Sequence, residues 1–232
     1  MGQRYALVTA GGQGLGQAIV RGLVQQGYFV FVHYHTTLPI VPAEPQTMLL
    51  QGDLAQREAR ERLLRDVGVV TSQLHVLVNN LGWYVMERLP RITIEQWELA
   101  LTLNCTATFH LTQLALPLLE AARPAARIIN LGDSACDRIT AHMMATPYHI
   151  AKLGVHVLTR SYAQLLMPKG ITVNMISPGF LENSVGSPPE ALPAGAPGRF
   201  DDILGALDYL LSESASHVSG TNLLVTGAWN LG

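Results

Sequence analysis

The chain is poor in cysteine: among its 232 residues only Cys105 and Cys136 occur. Two cysteines without a short-spaced partner make neither a disulfide framework nor a structural metal site, so no metal is expected. Charge is also sparse, at 14% of residues with a formal net charge of −2, and no basic block runs longer than a few residues. This removes the electrostatic footprint of a nucleic-acid or anionic-membrane binder. No apolar run reaches the roughly 20 residues that a membrane-spanning helix needs. The opening "MGQRYALVTAGG" has no charged n-region, apolar h-region and cleavage site, so no signal peptide is expected. Gly2 is followed by Ala6 where a myristoylation motif wants Ser or Thr. The expectation is a soluble cytoplasmic protein.

What is abundant is apolar material, 48% of the chain. That suffices for one sizeable core, and the length fits one α/β domain over residues 1–232. Strand-length apolar runs stand at 5–10, 29–34, 48–53, 74–80, 126–132, 171–176 and 222–226. Helical patterns stand at 16–27, 55–68, 93–122, 148–166 and 201–212, and the third opens on Thr93-x-x-Gln96, a capping-box pattern. Strand and helix alternate and the strands are apolar on both faces. This predicts a doubly wound, seven-stranded parallel sheet with helices on both faces. Two segments interrupt the alternation. Residues 36–46 carry Pro39, Pro42 and Pro45, which forbid a helix interior. Residues 182–199 are rich in Pro, Gly and Ala and follow strand six. A mobile lid at about 180–200 is expected there.

The turn between the first strand and first helix reads "TAGGQGLG". Gly11, Gly12, Gly14 and Gly16 allow a sharp backbone turn and close approach to a pyrophosphate, and the helix behind it supplies free N–H groups. Downstream, Tyr148 and Lys152 stand at i, i+4 on one helix face. A tyrosine pKa near 10 is high for proton transfer, and a lysine one turn along is expected to lower it. Asn104 lies within a helical pattern although Asn is a poor former there, so its side chain needs a partner.

Together, Thr9-Ala10-Gly11-Gly12-Gln13-Gly14-Leu15-Gly16, Asp53-Leu54, Asn79-Asn80-Leu81-Gly82, Asn104, Tyr148-x-x-x-Lys152 and Ser177-Pro178-Gly179 resemble the short-chain dehydrogenase/reductase family over essentially the whole chain. The departures are Ala10 for the motif's first Gly and Leu81 for Ala. The resemblance implies a Rossmann-type sheet and a nicotinamide dinucleotide held by Thr9, Gly11, Gly12, Gln13, Gly14, Leu15, Gly16, Asp53, Leu54, Asn80, Leu81, Gly82, Pro178 and Gly179. It implies catalysis by Tyr148 and Lys152, both also touching the cofactor, with Asn104 bending its helix and holding a water that links Lys152 to solvent. It further implies a homotetramer or homodimer assembled through the two long helices.

The end of the second strand, "HYHTT", lacks the acid that bonds the ribose hydroxyls of NAD, and the first acid beyond it is Glu44. His35, Thr36 and Thr37 could instead donate hydrogen bonds to a 2′-phosphate, with His33, His35 and Thr36 expected as cofactor contacts, and "HYH" is similar to the pteridine reductases, which use NADPH. NADP(H) is favoured, with NAD(H) still open. The third catalytic partner is open as well. Anchored on the fifth strand, Asp133 takes the family's serine position; counted back from Tyr148, Ser134 or even Ala135 does. Serine suits a substrate carbonyl, whereas Asp suits substrate N–H groups, as on a pterin. Trp83, Tyr84 and Phe180 are candidate substrate contacts. "NNLGWYVMER" with the terminal "LVTGA" resembles the 3-oxoacyl-carrier-protein-reductase-like branch, including the aminopentanone reductases. The expected activity is NADP(H)-dependent reduction of a C=O or C=N in a small substrate with Tyr148 as proton donor, most like a 3-oxoacyl-type carbonyl reductase, with a pteridine or dihydropteridine reductase as the alternative. The reading from another class is a non-catalytic sensor of NADP(H).

Overall fold

The computed structural model describes residues 2–39, 46–184 and 191–230. Seven strands form one sheet: β1 (Arg4–Val8), β2 (Tyr28–Tyr34), β3 (Thr47–Gln51), β4 (Val76–Asn79), β5 (Arg127–Leu131), β6 (Thr172–Pro178) and β7 (Asn222–Val225). Their order is β3-β2-β1-β4-β5-β6-β7, and every pairing is parallel. The chain winds outward in both directions from β1 and β4. The crevice beyond their C-terminal ends is therefore the switch point where such sheets bind ligands.

Strand alternation sorts the core into two layers. Leu7, Phe31, Leu77, Ile128 and Val173 face one side, against α2 (Arg57–Val70), α4 (Ala107–Ala121) and α5 (Thr146–Leu166). Ala6, Val8, Val30, Val32, Val76, Val78, Ile129 and Ile176 face the other, against α1 (Gly14–Gln25) and α6 (Phe200–Leu211). A fully buried aliphatic side chain of this kind contributes about 1.5–3 kcal/mol relative to its exposed state. Both layers follow directly from strands that are apolar on both faces.

The predicted helix over 93–122 divides. Thr93 caps α3 (Ile94–Leu101) with a capping box: its hydroxyl accepts from Gln96 N–H, and its own N–H donates to the Gln96 side chain. A π turn then covers Thr102–Thr106 before α4 resumes the α-helix. The remaining differences are at element ends. β1 stops at Val8 because Thr9 and Ala10 leave the ladder for the glycine turn. α5 starts two residues before Tyr148, with Pro147 in its first turn. The described part of the proline-bearing segment, through Pro39, holds no regular structure. Pro42, Glu44 and Pro45 lie outside the described residues, as does the middle of the expected lid. The lid's ends are joined: Gly198 N–H donates to Phe180 O at 2.9 Å and Glu182 N–H to Gly198 O at 3.0 Å. Among the described residues no helix is long and apolar enough to cross a membrane.

Candidate active site

The glycine turn is held from three sides. Thr9 is fully buried, and its hydroxyl accepts the N–H groups of Asn80 (2.9 Å) and Leu81 (3.0 Å). Asn80 donates through Nδ2 to the carbonyls of Thr9 and Ala10, both at 3.1 Å. These bonds lash the end of β1 to the end of β4. Gly16 packs so close beneath the turn that a Cβ would stand 2.1 Å from the Ala10 oxygen. Gly14 has φ +53° and opens α1, whose first N–H groups point into a cleft lined by Ala10, Gln13, Leu15, Asn80, Gly82 and Asn183. Gly14, Gly16 and Gly82 bring no Cβ into this cradle, and the free helix terminus favours an anion. The residues present therefore fit a dinucleotide pyrophosphate. Asn183, which the sequence analysis did not single out, reaches Gly14 from the start of the lid. Its signal is positional: a polar residue just past the Pro178–Gly179 turn.

Ala10 sits in the left-handed region at φ 49°, where a side chain costs about 1–2 kcal/mol. Ala10→Gly should relieve most of that. We expect a gain of about 1 kcal/mol, read as a melting temperature about 2–4 °C higher with dinucleotide affinity retained.

His33 corrects an expectation. It is buried, not turned to the cleft: Nδ1 accepts the Ala10 N–H at 3.1 Å and Nε2 donates to Gly52 O at 2.9 Å. Burial pushes its pKa below the ordinary histidine value. It is a neutral brace under the turn with both nitrogens engaged, and no phosphate can reach them. The Leu54 side chain is 2% exposed and belongs to the core, so a cofactor could meet this residue only through its backbone. Asp53 beside it is half-buried and accepts the Ala55 N–H at 2.9 Å. Gln13 is exposed and lines the cleft, and His35 and Thr36 are exposed just past β2. Residues 37–39 pack on Gly12, where a Cβ would meet Pro39 at 3.2 Å.

Asn104 is fully buried in the π turn. Its Oδ1 accepts the Trp83 N–H at 2.9 Å, while Nδ2 donates to Trp83 O (2.9 Å) and Ala100 O (2.8 Å). The poor helix former is thus satisfied by the backbone after β4, and the widened turn is what brings it there. This fixes the stretch Leu81–Trp83 over the cleft. Gly82 leaves room for Lys152, whose Nζ would be 3.6 Å from a Cβ at that position.

Lys152 is buried, and its ammonium donates to Leu131 O (2.8 Å) and Leu81 O (3.5 Å). Burial lowers its pKa to about 8, against the opposing pull of Asp133. Tyr148 is half-buried and its hydroxyl donates to Asp133 Oδ2 at 3.1 Å. Burial first, and then the Asp133 carboxylate, raise the Tyr148 pKa well above 10. The lysine was expected to lower it; here desolvation and the carboxylate outweigh the cation, which lies 5.8 Å from the ring centroid. Asp133 also accepts the Ala135 N–H at 2.8 Å through Oδ1, which fixes its rotamer. Ser134, its neighbour, turns into the protein: it is buried, and its hydroxyl has no hydrogen-bond partner among the described residues. Of the two candidates, Asp133 is the one in reach of the tyrosine.

Tyr84 is exposed and packs edge-on against Tyr148, ring centroids 4.9 Å apart. Trp83 is half-buried beside it. Phe180 packs edge-on against Trp229, ring centroids 6.1 Å apart. Pro178 and Gly179 end β6, and Gly179 is pressed against Thr226, whose Cα would be 2.9 Å from a Cβ.

Residues 4–188 match the short chain dehydrogenase family. A 3-oxoacyl-acyl-carrier-protein reductase of Haemophilus influenzae is 31% identical, with 97% of each chain covered. The rhamnolipid-biosynthesis 3-oxoacyl-acyl-carrier-protein reductase of Pseudomonas aeruginosa is 29% identical over 98% of this chain and 96% of its own. The solved RhlG/NADP active-site complex of Pseudomonas aeruginosa has a TM-score of 0.85 at 27% identity, covering 97% of this chain and 95% of that one. The sheet order, the glycine cradle and the Tyr148–Lys152 pair agree with that match along the chain: it belongs to the short-chain dehydrogenase/reductase family, as an NAD(P)-dependent oxidoreductase.

Proposed function

We propose that the chain is an NADP(H)-dependent reductase of a small, flat, N–H-bearing heterocycle of the pteridine kind, acting on a C=N or C=O bond. The observation that carries this reading is the Asp133 carboxylate on the Tyr148 hydroxyl. An ionised carboxylate only accepts hydrogen bonds. It would repel the oxygen of a simple ketone as negative charge develops there, but it can hold an N–H of a heterocycle beside the reacting bond. Tyr84 and Trp83 offer ring faces on which such a plane can stack. A 3-oxoacyl thioester is the second reading, favoured by the full-length similarity to reductases of that class.

The backbone of Gly11, Gly12, Gly14 and Gly16 and the α1 terminus would hold the pyrophosphate. Asp53 would face the adenine, while Asn80, Gly82, Lys152, Pro178 and Gly179 would surround the nicotinamide ribose. When bound, the dinucleotide supplies the hydride. The 2′-phosphate would lie at the rim of Gln13, His35 and Thr36; no carboxylate stands between His33 and Pro39 to repel it, which supports NADP(H). Tyr148, kept protonated by its surroundings, donates the proton that completes the reduction. Lys152 holds the ribose and maintains positive charge beside the phenol. Asn104, through Trp83, keeps the Leu81–Trp83 backbone in place above it. Exposed apolar residues Phe109 on α4 and Val157 and Leu165 on α5 support a dimer or tetramer through these helices.

The test is NADPH oxidation with a dihydropterin and with a 3-oxoacyl thioester, on the wild type and Asp133→Ser. The wild type should prefer the dihydropterin. Asp133→Ser should lower kcat/KM on it by about 10–100-fold, the worth of a charge-assisted hydrogen bond, and spare the thioester. A wild type that prefers the thioester, unaltered in that preference by Asp133→Ser, would overturn the pteridine reading.

Lys152 adds a pH signature. Its charge is lost as pH rises through about 8, so kcat/KM should fall above that pH. The Asp133 carboxylate holds the lysine pKa up against burial, so Asp133→Asn should move the alkaline limb to lower pH. A limb that stays in place would mean that Lys152 does not set it.

A further inference from the structure

The cysteine spacing excludes a site built from cysteine pairs, yet the loop after β5 and the first turn of α5 together assemble a mixed one. Asp133, Cys136 and His149 each present a donor atom, and the oxygen, sulfur and nitrogen all lie within 4.8 Å of one another. Cys136 Sγ is 3.8 Å from His149 Nδ1. Zinc bonds of about 2.3 Å to sulfur and 2.0 Å to nitrogen, at the tetrahedral angle, separate the two donors by about 3.5 Å. Closing the pair on an ion thus takes a few tenths of an ångström. The three donor types suit a borderline-soft divalent cation.

The surroundings support the geometry. The His149 ring is oriented by stacking on His142, centroids 3.8 Å apart and planes within 15°, and His142 is itself held by Thr140 Oγ1 at 3.0 Å. An outer layer of this kind fixes a ligand's direction. Asp133 has acceptor capacity beyond the Ala135 N–H and the Tyr148 hydroxyl, since an ionised carboxylate offers about four lone-pair positions. A cavity of about 320 Å³, lined by Cys136, Ile139, His142, His149 and Leu153, gives an ion a path to the buried sulfur.

We propose that Asp133, Cys136 and His149 form a binding site for Zn²⁺, three protein ligands with a fourth position open to water or a substrate atom. Because Asp133 is the acceptor of the Tyr148 hydroxyl, the bound ion competes for that carboxylate and slows turnover. This consequence rests on the catalytic reading above; the binding itself does not.

The experiment titrates chelator-treated protein with Zn²⁺ against a chromophoric competitor, and separately with Co²⁺ followed by absorption. Wild type, Cys136→Ser and His149→Gln are compared, with circular dichroism and melting confirming that each is folded. We expect one Zn²⁺ per chain and affinity at least about 10-fold weaker in either variant, the scale on which even outer-shell changes act. A thiolate-to-cobalt charge-transfer band should appear in the wild type and be missing from Cys136→Ser. No uptake, or uptake at wild-type affinity in both variants, would overturn the site. Zn²⁺ should also slow NADPH oxidation by the wild type and not by Cys136→Ser; binding without inhibition would overturn the competition for Asp133 and leave the site standing. Absence of turnover in metal-free protein would instead count against the proposed activity, so the two failures are distinguishable.

Discussion

Tyr148→Phe should lower kcat by about 10²–10⁴-fold, the usual worth of a positioned general acid, while leaving NADPH affinity nearly unchanged. The substitution removes one oxygen, and the hydrogen bond that oxygen makes is to Asp133. Lys152 keeps its bonds to Leu131 O and Leu81 O, so the ribose side of the cleft is preserved. Burial and the carboxylate hold Tyr148 protonated, so the wild type always has the proton to give and the variant never does. Single-turnover NADPH oxidation reads the first effect and a fluorescence titration of NADPH the second. A variant that turned over at the wild-type rate would remove Tyr148 as the proton donor.

Gly16→Ala should abolish dinucleotide binding. A Cβ there would lie 2.1 Å from the Ala10 oxygen and 2.6 Å from Asn80 Nδ2. Neither neighbour is a flexible chain end. The first is backbone in a left-handed turn, and the second is held by two carbonyls. The turn must therefore lift away from α1, which opens the cradle and breaks the Asn80 bonds. Overpacking of this type costs about 1–3 kcal/mol, so melting should fall together with affinity. Gly22→Ala on the same helix is the control: its Cβ meets Leu204 no closer than 3.5 Å, and binding should persist. NADPH affinity retained in Gly16→Ala would mean that the cleft is not the pyrophosphate site.

How much of this was legible in the sequence depends on how far apart the interacting residues are. The sheet and its covering helices follow from apolar runs of two lengths, because a strand buried on both faces and a helix buried on one declare themselves within a few residues. The Thr93–Gln96 box and the Tyr148–Lys152 pair are equally local, since one turn of helix sets both spacings. The π turn at Thr102–Thr106 was not legible. It exists because the Trp83 backbone comes alongside Asn104 and satisfies its side chain. The direction of His33 was not legible either, because a strand-end histidine becomes a buried brace only once Gly52 arrives to accept from it.

The ambiguity between Asp133 and Ser134 shows the division most sharply. Sequence alone determined that a tyrosine and a lysine share one helix face behind a glycine cradle, because periodicity and close-approach glycines are properties of the local chain. It could not choose between two adjacent residues whose side chains point opposite ways. Only the tertiary structure decided that. Asp133 is extended at φ −150° and caps the short 3₁₀ turn that follows, which sends its carboxylate to Tyr148 and the Ser134 hydroxyl inward. The same turn brings Cys136 to His149. Such meetings are set by the path of a loop and by what is buried beneath it, and neither is written in the spacing of the residues that meet.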